Sequence, residues 1–460
     1  MWLCHGGGQE DPMIKKVLIA NRGEIAIRII RTCKRRGIKT VAMYSEADEN
    51  ALFVLMADES YLLGPSRVDE SYLHVDRILS IAKQAEVDAI HPGYGFLSEN
   101  GPFAETCQAA GFIFIGPSSE VIDQMGDKIA ARKIMEQAGV PVIPGTADAV
   151  ETAEAAVQAA KEIGYPIMLK ASAGGGGIGM QVVWTDEELI KAFANNSSRA
   201  ETFFGNGAMF LEKKLEHARH IEIQLLADHT GHTVYLFERE CSIQRRNQKV
   251  VEEAPSPFVS EALRQTMGKA AVKAAKTISY SNAGTIEFLV DEQENFYFLE
   301  MNTRLQVEHP ITEEITGIDI VEQQLLIASG YPLGIKQEAL AIQGHAIEVR
   351  IYAEDPKTFF PSPGLLSTVE LPVGDHIRNE TAVQSHDQVT PFYDPMIAKL
   401  IVSGLNREMT ITRLQEALLD YKIAGIKTNL PMLIDIVNHP QFAAGNTTTA
   451  FVEDYYLPTK

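Results

Sequence analysis

Cysteine is scarce in this chain. Cys4, Cys33, Cys107 and Cys241 are scattered, with no CxxC pair. That excludes a disulfide framework or a thiolate zinc site as the organising feature and fits a reducing, cytoplasmic setting. No apolar run approaches the roughly 18 residues that span a bilayer. The opening MWLCHGGGQEDP lacks the basic and apolar regions of a signal peptide. Positive charge is also short: 41 Lys and Arg face 61 Asp and Glu, a formal charge of −20. Broad binding to nucleic acid or an anionic membrane needs the opposite excess, so neither is expected as a partner. A local positive pocket stays open. No GxGxxG follows the first strand, which weakens a dinucleotide-binding reading. No internal repeat or low-complexity tract is found.

What is present is length and pattern. The 460 residues suffice for several packed units rather than one core. Residues 1–12 read as a tail outside the fold, expected to be disordered. From Met13 the pattern is strand, turn and helix: VLIA at 17–20, then Ile25, Ile29 and Ile30 on one helix face, then a strand at 39–44. Further short strands, Ala89–His91 and Phe112–Gly116, alternate with helices, as in a parallel sheet wrapped by helices. HPGYGFLSEN at 91–100 reads either as a cleft-lining strand end or as a tight turn with buried aromatics.

Helix is expected from about Ser119 to Ala138, with Lys128 inside it, where a lone lysine is usually solvated. Gly139–Gly145 reads as a linker. Residues 146–215 look like a small separate unit. It has a helix at 151–163, a strand at 167–170, the run AGGGGIGM at 173–180, a strand at 181–184, and a strand with its connector at 210–215. Four glycines between strands make a surface hairpin or a loop whose amides close over phosphate, and Lys170 at the root favours the second. This is no Walker A loop, because Met180 rather than Lys follows Gly179. Strands are expected at 220–226 and 235–238. The run CSIQRRNQKVVEE at 241–253 is a solvated face, with Glu252 and Glu253 as partners, or a local anion site.

The densest chemistry lies at 285–310, TIEFLVDEQENFYFLEMNTRLQVEHP. Two alternating apolar runs about a polar link predict a β-hairpin. A turn near Gln293 and Glu294 sets Glu287 opposite Glu300, with Asn302 on the same face. Opposed carboxylates repel unless a cation sits between them, and oxygen ligands suit magnesium or manganese with phosphate as co-ligand. A solvated hairpin is the plain alternative, but the continuation through Arg304, Gln306, Glu308 and His309 exceeds what a loop needs. Beyond it, helix is expected at 320–328 and 410–423, and strands at 345–353, carrying Arg350, at 381–385 and at 396–403. A glycine loop, lysines and a carboxylate pair together equip the chain for a nucleoside triphosphate without a Walker loop.

ANRGEIAIRI at 20–29, HPGYGFLSEN, MGDK at 125–128, KASAGGGGIGM at 170–180 and HIEIQ at 220–224 stand in order. QKVVEEAPSP at 248–257, EMNTRLQVEHP at 300–310, HAIEVRIYAEDP at 345–356 and AGIKTN at 424–429 follow. In that order and spacing the chain resembles the biotin carboxylase family of the ATP-grasp superfamily, from about Met13 to the C-terminus. The resemblance implies an α/β fold with a Rossmann-like N-terminal domain at 13–127, a linker helix at 128–145 and a glycine-loop lid at 146–215. An ATP-grasp catalytic domain at 216–340 and a C-terminal mixed-sheet domain at 341–460 complete it.

The resemblance also implies a reaction: ATP, magnesium or manganese, and bicarbonate give carboxyphosphate, whose carboxyl group passes to carrier-bound biotin. Residue by residue it implies Glu287, Glu300 and Asn302 at the metal. Lys128, Lys170, Gly175, Gly176, Gly177, Glu212, Lys213, Leu215, His220 and Gln244 would bind nucleotide. Lys249 and Arg304 would meet bicarbonate and the γ-phosphate, and Gln306 and Val307 would hold bicarbonate. Glu308 would be the base and Arg350 the partner of the biotin enolate. Ile178 and Asn247 depart from the family pattern of Arg or Lys and of His, which should alter nucleotide affinity or lid closure.

An Ala-Met-Lys-Met biotinylation motif is absent. The expectation is therefore a stand-alone, homodimeric subunit that meets a biotin carboxyl carrier protein and carboxyltransferase subunits in trans. The expected setting is acetyl-CoA carboxylase and malonyl-CoA formation for fatty acid synthesis, with propionyl-CoA, pyruvate or urea carboxylase as alternatives. The competing readings are another ATP-grasp ligase and a non-catalytic nucleotide-binding subunit.

Overall fold

The computed structural model describes residues 14–172 and 180–457. The N-terminal tail, Gly175, Gly176, Gly177 and Ile178 lie outside the described residues.

The first sheet holds β1 (Lys16–Ile19), β2 (Lys39–Ser45), β3 (Glu59–Gly64), β4 (Ala89–His91) and β5 (Ile113–Phe114). Their order is β3-β2-β1-β4-β5, and every pair is parallel. Val17, Leu18 and Ile19 are wholly buried, as expected of a parallel strand covered on both faces. At its carboxyl edge Asn21 Nδ2 donates to the carbonyls of Pro92 at 2.7 Å and Tyr94 at 2.8 Å. Gly93 permits that approach: its φ is +63°, and a Cβ there would strike the Asn21 side chain. Both readings of 91–100 therefore hold, a tight turn that also borders a cleft.

Helix does not run unbroken from Ser119 to Ala138. It stops at Gly126 and restarts at Lys128, because Asp127 is extended and its Oδ1 accepts from the amides of Ile129 and Ala130. The next unit has its own antiparallel sheet, β7-β6-β8, of β6 (Ile167–Ala171), β7 (Met180–Val183) and β8 (Met209–Lys213). Helices Ala153–Ile163 and Asp186–Phe204 cover it with a separate core including Leu169, Val183, Leu189 and Leu211. The second helix was not anticipated, although Thr185 and Glu188 form the cap signature that announces it.

The third sheet uses β9 (Arg219–Ala227), β10 (Thr233–Arg245), β11 (Gln248–Ala254), β12 (Asn282–Val290), β13 (Phe296–Asn302) and β14 (His345–Tyr352). The chain then adds β15 (Gly364–Leu365), β16 (Thr368–Glu370), β17 (Ile377–Thr381), β18 (Gln388–Val389), β19 (Met396–Gly404) and β20 (Lys422–Ala424). The order β13-β12-β9-β10-β11-β14-β19-β17 is antiparallel throughout. The C-terminal strands, expected as a mixed sheet, thus extend the sheet of the catalytic hairpin. β15 with β18 and β16 with β20 form two small antiparallel pairs.

Several boundaries move. β10 is thirteen residues long rather than 235–238, because a register shift between Tyr235 and Glu238 interrupts its alternation. The strand expected at 381–385 lies at Ile377–Thr381, where it pairs with β19. The helix expected at 410–423 runs from Arg407, capped by Asn406, to Asp420, and Ile423 belongs to β20. Helices Glu261–Thr277 and His309–Thr316 were not anticipated.

Candidate active site

The β12–β13 hairpin sets Glu287 against Glu300 and Thr285 against Asn302, in the register read from the alternation. Asp291 Oδ1 closes the turn by accepting from the amides of Gln293 and Asn295. The two carboxylates are treated differently. Glu287 accepts from Lys249 Nζ at 2.8 Å, Asn302 Nδ2 at 2.7 Å and Gln306 Nε2 at 2.9 Å. His220 Nε2 lies 2.7 Å from its other oxygen, close enough to pair by charge but not aligned as a hydrogen bond. Burial would raise Glu287, yet Lys249 and His220 hold it well below the usual carboxylate range. Among the described residues no side chain donates to Glu300, and burial and the Glu287 charge raise it. An unpartnered carboxylate beside an ionised one, with an amide oxygen at Asn302, fits a hard divalent cation.

β10 and β11 meet in a two-residue turn at Arg246 and Asn247, with φ of +50° and +63°. The turn places Gln244 opposite Lys249, on one face. The solvated reading of this run fails: Lys249, Glu252 and Glu253 are all buried. Lys249 Nζ is the hub. It donates to Glu222, to Glu287, and to Glu308 Oε1 at 2.6 Å. The other Glu308 oxygen takes Arg350 Nη2 at 3.0 Å, and Arg350 Nε donates to Glu252 at 2.6 Å. Burial opposes ionisation of Glu308, but Lys249, Arg350 and Arg239 hold it far below the usual range. Burial likewise opposes the Lys249 charge, and Glu222, Glu287 and Glu308 hold it above the usual range.

Arg304 reaches Glu99 at 2.8 Å, Asn302 Oδ1 at 2.9 Å and Gln306 Oε1 at 3.1 Å. Lys399, wholly buried, fixes the Val307 carbonyl at 2.7 Å. Farther along the cavity Lys170 pairs with Glu212, which Arg132 also approaches at 3.3 Å. Lys213 donates to the Gly164 and Tyr165 carbonyls of its own unit. Lys128 opens its helix, and burial lowers it while Glu300 draws it back up. Gln244 Nε2 lies 2.7 Å from His220 Nδ1.

One cavity of about 760 Å³ collects these groups. It is lined by Lys128, Lys170, Glu212, Lys213, Leu215, His220, Gln244, Lys249, Glu287, Glu300, Asn302, Arg304, Gln306, Val307, Glu308 and Arg350. Each was singled out in the sequence. Gly175, Gly176, Gly177 and Ile178 lie outside the described residues, and Asn247 is on the wall. Met168, Phe210 and Leu289 add apolar wall near Glu212, suited to a flat heterocycle.

Three site residues were missed. Glu222 and Arg239 are buried and paired, and Arg239 also donates to Gln224 at 2.7 Å and to Thr312 at 2.8 Å. Glu252, named in the sequence only as a partner under the solvated alternative, grips Arg350. The available signal was a carboxylate inside a strand apolar on its other face, as in HIEIQ. His220, Glu222 and Glu287 cluster closely enough for a cation, as do Glu222, Cys241 and Glu308. Lys249 and Arg239 already neutralise Glu222, so neither cluster demands one.

Three family models match in succession. They are the biotin carboxylase N-terminal domain over residues 13–122, the carbamoyl-phosphate synthase L chain ATP-binding domain over 127–336, and the biotin carboxylase C-terminal domain over 348–454. The chain is 65% identical over 443 residues to a biotin carboxylase of Halalkalibacterium halodurans, covering 96% of this chain and 98% of that one. It is 51% identical to a pyruvate carboxylase subunit of Methanothermobacter thermautotrophicus, covering 96% and 90%. A solved relative is the biotin carboxylase domain dimer of Hydrogenobacter thermophilus 2-oxoglutarate carboxylase with MgADP, ADP and bicarbonate. It superposes with a TM-score of 0.94 at 49% identity, covering 96% of this chain and 98% of that one.

Proposed function

The chain belongs to the biotin carboxylase family, and from that premise we propose how its residues carry out ATP-dependent carboxylation of biotin with bicarbonate. The observation that carries the reading is the contact chain Glu287–Lys249–Glu308–Arg350, which joins the metal carboxylates to the base and the guanidinium inside one cavity.

Lys128 and Lys170 receive the phosphates, and Glu212, Lys213 and Leu215 border the adenine. His220 and Gln244 border the ribose. Glu287, Glu300 and Asn302 would hold magnesium, which would offset the negative charge of the phosphates. Lys249 and Arg304 attract bicarbonate and the γ-phosphate, and Gln306 and the Val307 amide orient bicarbonate. Glu308 removes the bicarbonate proton. Without anions its clamp by Lys249 and Arg350 makes it a weak base. Anions that draw those cations away raise its basicity, so the base is switched on by substrate. Arg350 then faces the oxygen that turns negative as biotin loses its ureido proton.

The acceptor of the full reaction is acetyl-CoA, and the product malonyl-CoA feeds fatty acid synthesis. The 65% identity to a biotin carboxylase supports the biotin half-reaction that this reading requires. The likeness to a pyruvate carboxylase subunit supports pyruvate as the second reading. This site acts on biotin alone, so the acceptor is set by the carboxyltransferase. A carrier protein partner and a homodimer follow the same family logic, and the solved relative is a dimer. No described helix is long and apolar enough to cross a membrane, in keeping with work in the cytoplasm.

The test is ADP release from MgATP and bicarbonate, with and without free biotin. Biotin-stimulated release that vanishes in Glu308→Ala is expected. Bicarbonate-dependent release indifferent both to free biotin and to the biotinylated carrier would overturn the reading. Cognate carboxyltransferase supplied with acetyl-CoA, then with pyruvate, separates the two acceptors.

A further inference from the structure

Two carboxyl groups beneath Arg350 have no role in the chemistry above, and both carry unpartnered oxygens. Glu252 on β11 and Glu348 on β14 are register partners in an antiparallel pair. Directly opposed residues project to the same face with Cβ atoms about 5 Å apart. Both are wholly buried. Glu252 Oε1 accepts from Arg350 Nε, whereas Glu252 Oε2 and both oxygens of Glu348 lack any hydrogen-bond partner among the described residues. Buried polar atoms are nearly always satisfied, so orphans on two facing groups ask for a common cause.

The neighbouring charges are already committed. From β14, Arg350 is shared between Glu252 and Glu308. From β19, Lys399 bonds the Val307 carbonyl and lies 3.2 Å from Glu24. Lys249 serves Glu222, Glu287 and Glu308. On the helix His309–Thr316 packed over this face, His309 Nδ1 faces the Gln306 carbonyl and Glu313 is paired with Arg28 and Arg378. Among the described residues no cation within ion-pair distance is left for Glu348. Ionised, it would stand unpaired beside an ionised partner in a fully buried layer.

We propose that Glu348 is a positioning residue for the biotin half-reaction, standing as the neutral acid and donating its proton to Glu252 Oε2 so that one negative charge serves both carboxyls. A single proton satisfies two of the three orphan oxygens at once, one on each facing group. It leaves Glu252 a full charge with which to hold Arg350, without a second anion to over-neutralise the guanidinium. Burial, with the Glu252 charge, pushes Glu348 well above the usual carboxylate range against Lys399 and Arg350, and burial pushes Glu252 up to about 7 against Arg350. The proposal rests on the reading of Arg350 as the partner of the biotin oxygen.

The experiment has two readouts. Infrared difference spectra of the intact wild-type protein against Glu348→Gln at pH 8 should show a protonated-carboxyl C=O band present only in the wild type. Biotin-dependent ADP release should fall about tenfold in Glu348→Ala, the cost of an unpaired buried acceptor, with KM for ATP unchanged. Glu348→Gln, whose amide can donate the same bond, should rescue it. The alkaline limb of the wild-type pH profile, where the shared proton leaves, should disappear in Glu348→Gln. No band difference, or Glu348→Gln as impaired as Glu348→Ala, would overturn the proposal. If Arg350→Ala keeps full biotin dependence, the reading of Arg350 fails while the infrared band still decides the shared proton.

Discussion

Arg350 shows how a single residue divides binding from chemistry. It touches Glu308 and Glu252 and no expected nucleotide group. Arg350→Ala should therefore retain ATP binding and lose roughly a hundredfold to a thousandfold in biotin-dependent rate, the usual loss for one oxyanion donor. Calorimetric ATP titration beside steady-state ADP release checks both halves. Glu240 gives a stability prediction outside the cavity. Burial raises it from 4.5 to about 7, against Arg219, Ser242 and Ser256. A group raised in the folded state contributes stability that is complete below its unfolded value and is lost as pH climbs to the folded one. Wild-type stability should thus decline relative to Glu240→Gln between pH 4.5 and about 7, by on the order of 3 kcal/mol. Urea unfolding of both proteins across that window measures it. Parallel curves would count against the burial account.

At the scale of elements, chain breaks do the aiming. The stop at Gly126 and restart at Lys128 put Lys128 on a first helical turn, where it lines the cavity instead of facing solvent. Asp127 fixes that start with two hydrogen bonds of 2.9 Å. Asp127→Ala should cost about 1 kcal/mol of stability, as for a lost N-cap. It should also raise KM for ATP with little change in kcat, since it displaces a binding lysine but no reacting group. A kcat loss at unchanged KM would contradict this. The β10–β11 turn acts in the same way: two left-handed residues return the chain in a register that brings Lys249 over Gln244.

Across the whole molecule, the eight-stranded sheet joins segments that the sequence separates. β11 pairs with β14, so Glu252 and Arg350 share one surface although 98 positions apart. The unit of β6, β7 and β8 keeps its own sheet and core. Residues 216–340 and 341–457 should therefore exchange their strand amides in one cooperative opening, while the β6–β8 unit opens at lower free energy. Native-state hydrogen exchange resolved by peptide tests this. Independent protection of β14 and β11 would refute it.

By itself the sequence determined the local periodicities and the order of the motifs. The hairpin register at Glu287 and Glu300 and the buried VLIA strand were legible because each rests on alternation or on a contiguous run, whereas most residues that line the cavity were legible only through the family resemblance that the ordered motifs carry. Only the tertiary structure decided which charges meet. Glu252 looked like a solvated partner of its basic neighbours, and burial against β14 made it the holder of Arg350. Glu222 and Arg239 were unremarkable in a strand, and they became a buried pair because β9 and β10 lie at the centre of the sheet. The long β10 was hidden by its bulge. These outcomes depend on strand order and on water leaving the interior, neither of which a linear pattern contains, and both govern whether a carboxylate is a base, a metal ligand or a neutral acid.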